Sequence, residues 1–312
     1  MSRPNFDFPG FNDLEGFITL LSDTRAIFKE EPNYQELALD RPIVFVGDTH
    51  GDIETTEQIF DMFFGTHLIA MLGDYVTRAP VEHGSIKNIH YLFEVKRSHP
   101  EDLILLRGNH ETPDHAGIIE IMLDLREFGV DAWRNTSSTL YGTFSDMPYV
   151  VSTENGLLGL HGGLPDIKSV RGLKLVPKGI EGFPNNGEGL PAHYQTALQI
   201  LWNDHVATDE PLITLDGSKK EKGNSVYNYS RHTGRLYNQH HFNNVMSLLG
   251  KNVLVRGHDY NEKGYAFDDR LLTIFSASKF VNHGNLKGKY VAVMDDPQKE
   301  LKTAKELRIV QL

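Results

Sequence analysis

The chain contains no cysteine, which removes disulfides and thiolate metal sites together. Any metal must therefore sit on His, Asp, Glu or Asn side chains. No apolar run approaches membrane-spanning length, and basic residues are in deficit, 31 Lys and Arg against 42 Asp and Glu, for a formal charge of −11. Without a basic stripe to displace counterions, no nucleic-acid partner is expected. The N-terminal stretch MSRPNFDFPGFNDLEG lacks a basic region followed by an apolar core, so it does not read as a signal peptide. The acceptor patterns Asn135-Thr136-Ser137 and Asn228-Tyr229-Ser230 are then expected to go unused. A cytoplasmic protein with no membrane partner is the expectation.

What is present is enough for a sizeable core: 312 residues, 39% of them hydrophobic, suit a globular α/β chain. The stretch PIVFVGDTHGD, residues 42–52, organises the rest. Its apolar run reads as a buried strand that stops at Gly47, and Asp48 and His50 follow two residues apart in the exit loop. A carboxylate and an imidazole converging there suit a borderline divalent ion such as manganese, iron or zinc. The same pair could also be an ordinary solvated loop.

The pattern then repeats. Helical spacing covers 12–31, with Asn12 or Asp13 as cap, and also 53–64, 82–98 and a stretch ending at Arg126. Between these helices, HLIAML (67–72) runs into Asp74, and DLILLR (102–107) runs into Asn109 and His110. Strand, helix, strand with polar residues at each exit is the pattern of a parallel sheet. Ligands gather at the carboxyl ends of such strands. Further on, MPYVVS and LLGL read as neighbouring strands, the second ending at His161. Residues 167–190 read as irregular, 191–204 as a helix, 205–235 as an exposed and mobile loop, and 241–250 as a helix. Four closing strands are expected at 252–258, 271–277, 289–296 and 306–312, the first ending at His258. His83, His90, His99 and His205 lie in polar stretches and read as surface residues. No linker that would force two domains is evident.

The motifs GDTHGD, GDYVTRAP, LRGNHE, LHGGLPD, LWND, VRGH and FSASKF occur in this order. With them the chain resembles the phosphoprotein phosphatase (PPP) serine/threonine phosphatases, within the calcineurin-like metallophosphoesterases. The resemblance runs nearly end to end. It implies a mixed α/β metallophosphoesterase fold: a central β-sandwich of two mixed sheets flanked by helices. One catalytic domain would span 1–312, with an inserted mobile loop around 205–230 shaping substrate access.

The resemblance also implies a centre of two divalent ions, manganese first and iron or zinc as alternatives. Asp48 and His50 would hold one ion, Asp74 would bridge both, and Asn109, His161 and His258 would complete the second. His110 would act as general acid. Arg78 and Asn109 would contact the phosphate, with a second arginine from Arg235 or, as the alternative, Arg231. The chemistry is coherent. A phosphate dianion repels hydroxide, so two cations about 3.5–4 Å apart that acidify a shared water and clamp the phosphoryl oxygens would supply nucleophile and charge neutralisation. A protonated histidine would supply the leaving alkoxide, and guanidinium forks match phosphoryl oxygens.

Two departures from the family pattern stand out. Thr77 occupies the place of an aspartate expected to orient the catalytic histidine, so acid catalysis is expected to be weaker or shifted to lower pH unless Asp114 substitutes. Phe280 replaces a tyrosine, keeping the ring without its hydroxyl. The implied activity is dephosphorylation of phosphoserine or phosphothreonine in proteins. Hydrolysis of a dinucleoside polyphosphate or small phosphoester is the alternative within enzymes, and a non-catalytic phospho-partner-binding protein is the alternative outside them. The sequence names no regulatory subunit.

Overall fold

The computed structural model describes residues 12–113, 118–183, 190–216 and 219–312, together with Pro4 and Phe8. The first half alternates helix and strand: α1 (Leu14–Glu30), β1 (Tyr34–Glu36), β2 (Ile43–Val46), α2 (Ile53–Phe63), β3 (Leu68–Met71), α3 (Gly84–Ser98), β4 (Leu103–Leu105), α4 (Ile118–Arg126) and α5 (Ala132–Ser145). The second half is richer in strand: β5 (Val150–Ser152), β6 (Leu157–Leu160), α6 (Val170–Lys174), α7 (Ala192–Trp202), β7 (Asp204–His205), β8 (Leu212–Asp216), β9 (Lys219–Gly223), β10 (Ser225–Tyr227) and β11 (Arg235–Tyr237). It closes with α8 (Gln239–Leu249), β12 (Val253–Arg256), β13 (Gly264–Ala266), β14 (Leu271–Thr273), β15 (Tyr290–Met294) and β16 (Arg308–Gln311).

Two mixed sheets face one another. One has five strands in the order β16-β15-β2-β3-β4, with β2, β3 and β4 parallel. The other has six, in the order β1-β5-β6-β12-β14-β13, with β6, β12 and β14 parallel. Alternation along the strands builds the layers, because successive side chains leave opposite faces of a sheet. In β2, Ile43 and Phe45 point into the space between the sheets, where they meet Val253, Val255, Leu272 and Ile274. Val44 and Val46 point the other way, toward α1, α2 and α3. The outer face of the six-stranded sheet packs Leu158, Leu160 and Leu254 under α7 and α8. All four β2 side chains are buried, and truncating Phe45 to alanine would cost roughly 3–5 kcal/mol.

The two sheets join at their carboxyl ends. Asp48 bridges in parallel to Phe275, and Ser276 donates its amide to Asp48 O at 3.0 Å and its Oγ receives the Gly47 amide at 3.1 Å. The exits of β2, β3 and β4 and those of β6 and β12 therefore converge on one region.

Several sequence expectations change. The segment read as an exposed loop, 205–235, carries the antiparallel hairpin β8–β9, strand β10 and the start of β11. Helix α5 went unread because its sequence, AWRNTSSTLYGTFS, is rich in residues of low helix propensity; packing against α1 supports it, with Thr143 Oγ1 donating to Leu21 O at 3.0 Å. The three-residue strands β1 and β13 are too short to show a period. His90 and His205, read as surface residues, are each 6% exposed.

Candidate active site

The exit loops of β2 and β3 are clasped to each other through backbone. Thr49 and His50 both donate their amides to Asp74 O, at 3.1 and 2.9 Å, and Gly51 donates to Tyr75 O at 2.8 Å. The β4 exit is tied in by Glu111, whose carboxylate accepts from the amides of Asp74, Tyr75 and Gly108 at 2.8–2.9 Å. These loops turn so sharply that His50, Asp74, Thr77, Arg78 and His258 all have positive φ, from 46° to 73°. Such backbone costs on the order of 1 kcal/mol or more per residue and persists only where its surroundings over-determine it. Packing is equally tight at two glycines. A Cβ on Gly108 would lie 2.2 Å from Asp74 Oδ1, and one on Gly257 would lie 2.3 Å from Asp48 Oδ1.

Six sequence-predicted residues, Asp48, His50, Asp74, Asn109, His161 and His258, are brought together and buried. His50 Nε2 stands 3.7 Å from both Asp48 Oδ2 and Asp74 Oδ2, and His161 Nε2 stands 3.4 Å from Asp74 Oδ1. Asn109 Oδ1 lies 2.8 Å from both His161 Nε2 and His258 Nδ1. Two sets of potential ligand atoms cluster, each within 4.8 Å: His50, Asp74 and His110, and Asp74, His161 and His258. Asp74 belongs to both sets, as a bridging ligand would. His110 stands in the first set where Asp48 was expected; Asp48 Oδ1 accepts the His258 amide at 2.8 Å, and its Oδ2 remains 3.7 Å from His50 Nε2.

The residues fit divalent cations. His50 Nδ1 lies 3.1 Å from Val76 O and His161 Nδ1 2.9 Å from Leu72 O. A carbonyl only accepts, so each Nδ1 carries the proton and each Nε2 presents its lone pair toward the cluster. Burial, the main cause, holds His161 and His258 well below the usual histidine range and keeps both neutral, the ligating form. Asp48 Oδ2 and His258 Nε2 are buried atoms with no hydrogen-bond partner among the described residues. Burial lifts the Asp48 carboxyl to about 7 and Asp74 well above its ordinary value, the latter helped by the neighbouring carboxylates Asp48 and Glu111. A site that so disfavours accumulated negative charge is one that a cation would complete.

His110 reaches the cluster from the β4 exit, its Nε2 3.7 Å from Asp74 Oδ2. Its Nδ1 shares a 2.5 Å hydrogen bond with Thr77 Oγ1. Thr77 is itself fixed by its amide donating to Ser85 Oγ at 2.7 Å. Asp114, the alternative partner considered for His110, lies outside the described residues. Glu120 on α4 holds the rest of this loop, accepting from the Arg78 amide at 2.6 Å and from Ser85 Oγ at 2.5 Å. The Arg78 guanidinium sits 6.0 Å from the centre of the Phe280 ring, which stacks on Tyr260 at 4.5 Å. Phe280 therefore still flanks Arg78 without a hydroxyl.

Asp74, Arg78, Asn109, His110, Trp202, Ser230, Arg231 and His258 line a pocket of about 330 Å³. Arg235 does not line it, which corrects the choice made from sequence. Its side chain is neutralised elsewhere, with Nε 3.0 Å from Asp166 and Nη2 2.6 Å from Glu221. Arg231, the alternative, lines the pocket and pairs through Nε with Asp204. Asp204 also receives Arg256 Nη2 at 3.1 Å and stands 3.8 Å from His258 Nε2. Sequence reasoning assigned no role to Asp204, Glu111, Glu120 or Trp202. The first, second and fourth sit inside the quoted motifs LWND and LRGNHE, which were the available signal; Glu120 had none. A larger groove of about 730 Å³ lies between α1 and the strand edges β1 and β4, but neither ligand cluster borders it.

Comparison with known proteins agrees with this geometry. The family description "Calcineurin-like phosphoesterase" matches residues 41–262. Two Caenorhabditis elegans relatives, whose names provisionally class them as serine/threonine-protein phosphatases, are 25% and 27% identical over 269 and 323 residues, covering 84% and 97% of this chain. The matches cover 65% and 61% of those relatives, so the chain spans less than two thirds of their length. Among solved structures, a Saccharomyces cerevisiae protein serine/threonine phosphatase described as similar to human PP5 superposes with a TM-score of 0.70 at 18% identity, over 96% of this chain and 90% of that one. A mutant cold-active protein tyrosine phosphatase gives 0.57 at 11% identity, over 87% and 80%. These likenesses show a shared fold. With the family pattern matching most of its length, the chain belongs to the calcineurin-like phosphoesterases.

Proposed function

We propose that the chain hydrolyses phosphate monoesters, with phosphoserine or phosphothreonine in proteins as substrate. The observation that carries this reading is the convergence of two guanidinium groups and a histidine on the pocket bordered by Asp74, Asn109 and His258. Asp48, His50, Asp74, Asn109, His161 and His258 would hold two divalent ions, which when bound neutralise phosphoryl charge and acidify water. Manganese, iron and zinc suit this mixed carboxylate and imidazole set.

The chain's own residues perform the rest. Arg78 and Arg231 face the same pocket and grip phosphoryl oxygens, a task for which the guanidinium fork is shaped. Phe280 on one side and Asp204 on the other hold those two guanidiniums in place. His110 donates a proton from Nε2 to the leaving serine or threonine oxygen, a contribution of about 10²–10⁴-fold. Its Nδ1 bond to Thr77 fixes the ring for that transfer. A hydroxyl orients the ring as a carboxylate would but stabilises the imidazolium less.

The test is direct. The purified protein is stripped of metal, reloaded with manganese, iron or zinc, and assayed on p-nitrophenyl phosphate, a phosphothreonine peptide and diadenosine tetraphosphate. Turnover of the two monoesters above the dinucleotide is expected. No turnover of any substrate with any metal would contradict the proposal, and preference for the dinucleotide would move the substrate to small phosphoesters.

A further inference from the structure

We propose that the outer face of the β8–β9 hairpin is a docking strip for an acidic extended segment beside the phosphoresidue of a protein substrate; the inference rests on the phosphoprotein reading above. The hairpin stands apart from the two large sheets as a two-stranded sheet of its own. In its register Ile213 faces Lys222 and Leu215 faces Lys220. Residues directly opposite in an antiparallel pair share a face, so these four side chains form one surface. Ile213 is 53% exposed, Leu215 is 66% exposed, and both lysines are exposed.

The other face is tied to the body. Glu221 accepts from the Tyr227 amide at 2.8 Å and pairs with Arg235 at 2.6 Å. A lone two-stranded hairpin is marginal in water, and this anchoring supports the strands without any help from the outer surface. Two large apolar side chains facing solvent therefore contribute little to the fold, and their remaining use is contact with something else.

Charge identifies the occupant. The chain carries −11, yet this face presents two cations and no anion among its four residues. An acidic segment would be repelled by the surface at large and attracted here. Lys220 and Lys222, two positions apart on one strand, project about 6.6–6.8 Å apart. Carboxylates at alternate positions of an extended peptide share that pitch and point to one side of it, so they meet the lysines while their aliphatic stems and the peptide backbone lie over Ile213 and Leu215. The strip is also joined to the pocket. β10 pairs with β11, β11 with β7, and β7 begins at Asp204, the partner of Arg231.

The experiment uses the full chain, the double variant Lys220→Glu/Lys222→Glu, and the separate variant Leu215→Ser. Fluorescence anisotropy measures binding of an unphosphorylated peptide alternating Asp and Val and of a neutral Gly-Ser peptide. In parallel, KM and kcat are measured on phosphothreonine peptides bearing each flank and on p-nitrophenyl phosphate. Wild type is expected to bind the acidic peptide about tenfold tighter than the neutral one, with the advantage shrinking as salt rises. The double variant should lose that advantage, raising KM for the acidic substrate while leaving p-nitrophenyl phosphate turnover unchanged. Leu215→Ser should weaken acidic-peptide binding by a smaller factor, without abolishing its salt dependence. Equal binding of both peptides by wild type overturns the proposal, as does retention on anionic vesicles with no peptide preference. Preferential acidic-peptide binding without turnover of any phosphoester would support the docking strip while refuting the phosphatase reading, so the two failures are distinguishable.

Discussion

The two sides of the pocket are built differently. On one side, Asp48, His50, Asp74, Asn109 and His110 sit on short loops bonded directly to β2, β3 and β4, and main-chain hydrogen bonds fix those loops to one another. On the other, Trp202 ends α7 and packs edge-on against His258, while Asp204 and Arg231 lie between α7 and β11 and are fixed by charge pairing. Asp204 there holds Arg231 and the fully buried Arg256 at once. The first side is placed by the backbone and the second by a tertiary ion network. The first construction ties chemistry to position in the chain; the second can recruit any arginine that reaches the carboxylate.

The largest expected effect sharpens that contrast at the second side. Arg231→Ala should lower kcat/KM on p-nitrophenyl phosphate about a hundredfold, since a charge-assisted contact to the reacting phosphoryl group is lost. Arg235→Ala, four residues away, should change it less than about threefold. Comparable losses in steady-state assays of the two variants would break the distinction between them.

A smaller effect is expected at the first side. Thr77 sits at a φ of 70°, where a β-branched residue is strained and aspartate is better tolerated. Thr77→Asp should therefore be accepted by the loop and place a carboxylate against His110. In steady-state assays kcat should rise about tenfold and activity should extend to higher pH; unchanged rate and pH profile would show that the threonine is no handicap.

The last effect is on stability rather than activity and concerns the ion network behind the pocket. Burial, with Arg256 beside it, pushes the His205 imidazole down to about 3, and Arg256 Nη1 lies 3.1 Å from its Nδ1. The folded state therefore binds fewer protons than the unfolded state between about pH 3 and the ordinary histidine value of about 6.5. Stability falls as pH drops through that window. His205→Asn removes the titration and should flatten the fall by on the order of 2 kcal/mol, read from urea unfolding at successive pH values. An undiminished slope would place the acid sensitivity elsewhere.

Sequence showed the first side of the pocket well and the second poorly, for the same structural reason. A strand that ends at a glycine and is followed at once by Asp48 or Asp74 leaves that residue little freedom, so the motif marks its position, while the ligand role came from the family resemblance. The run IVFV of β2 is apolar throughout and so read as a buried strand, while the two-sheet sandwich came from the family resemblance. Arg231 and Arg235 are both arginines in a polar stretch, and only the positions of Asp204, Asp166 and Glu221 separate them. Those contacts join residues up to 69 positions apart. The β8–β9 hairpin was hidden by its polar strand β9, KKEKG, which has neither the β-branched content nor the alternation that marks a strand. Glu111 and Glu120 act by accepting backbone amides, a role that no residue pattern announces.

A buried centre for two cations would have Asp74 common to both. The most direct measurement is isothermal titration of the metal-free protein with manganese, paired with elemental analysis of the loaded protein, for wild type and Asp74→Asn. Two ions per wild-type chain are expected, and in Asp74→Asn weakened binding of both together with loss of turnover. Two ions bound with undiminished affinity and full activity in Asp74→Asn, or no stoichiometric binding by wild type, would contradict it.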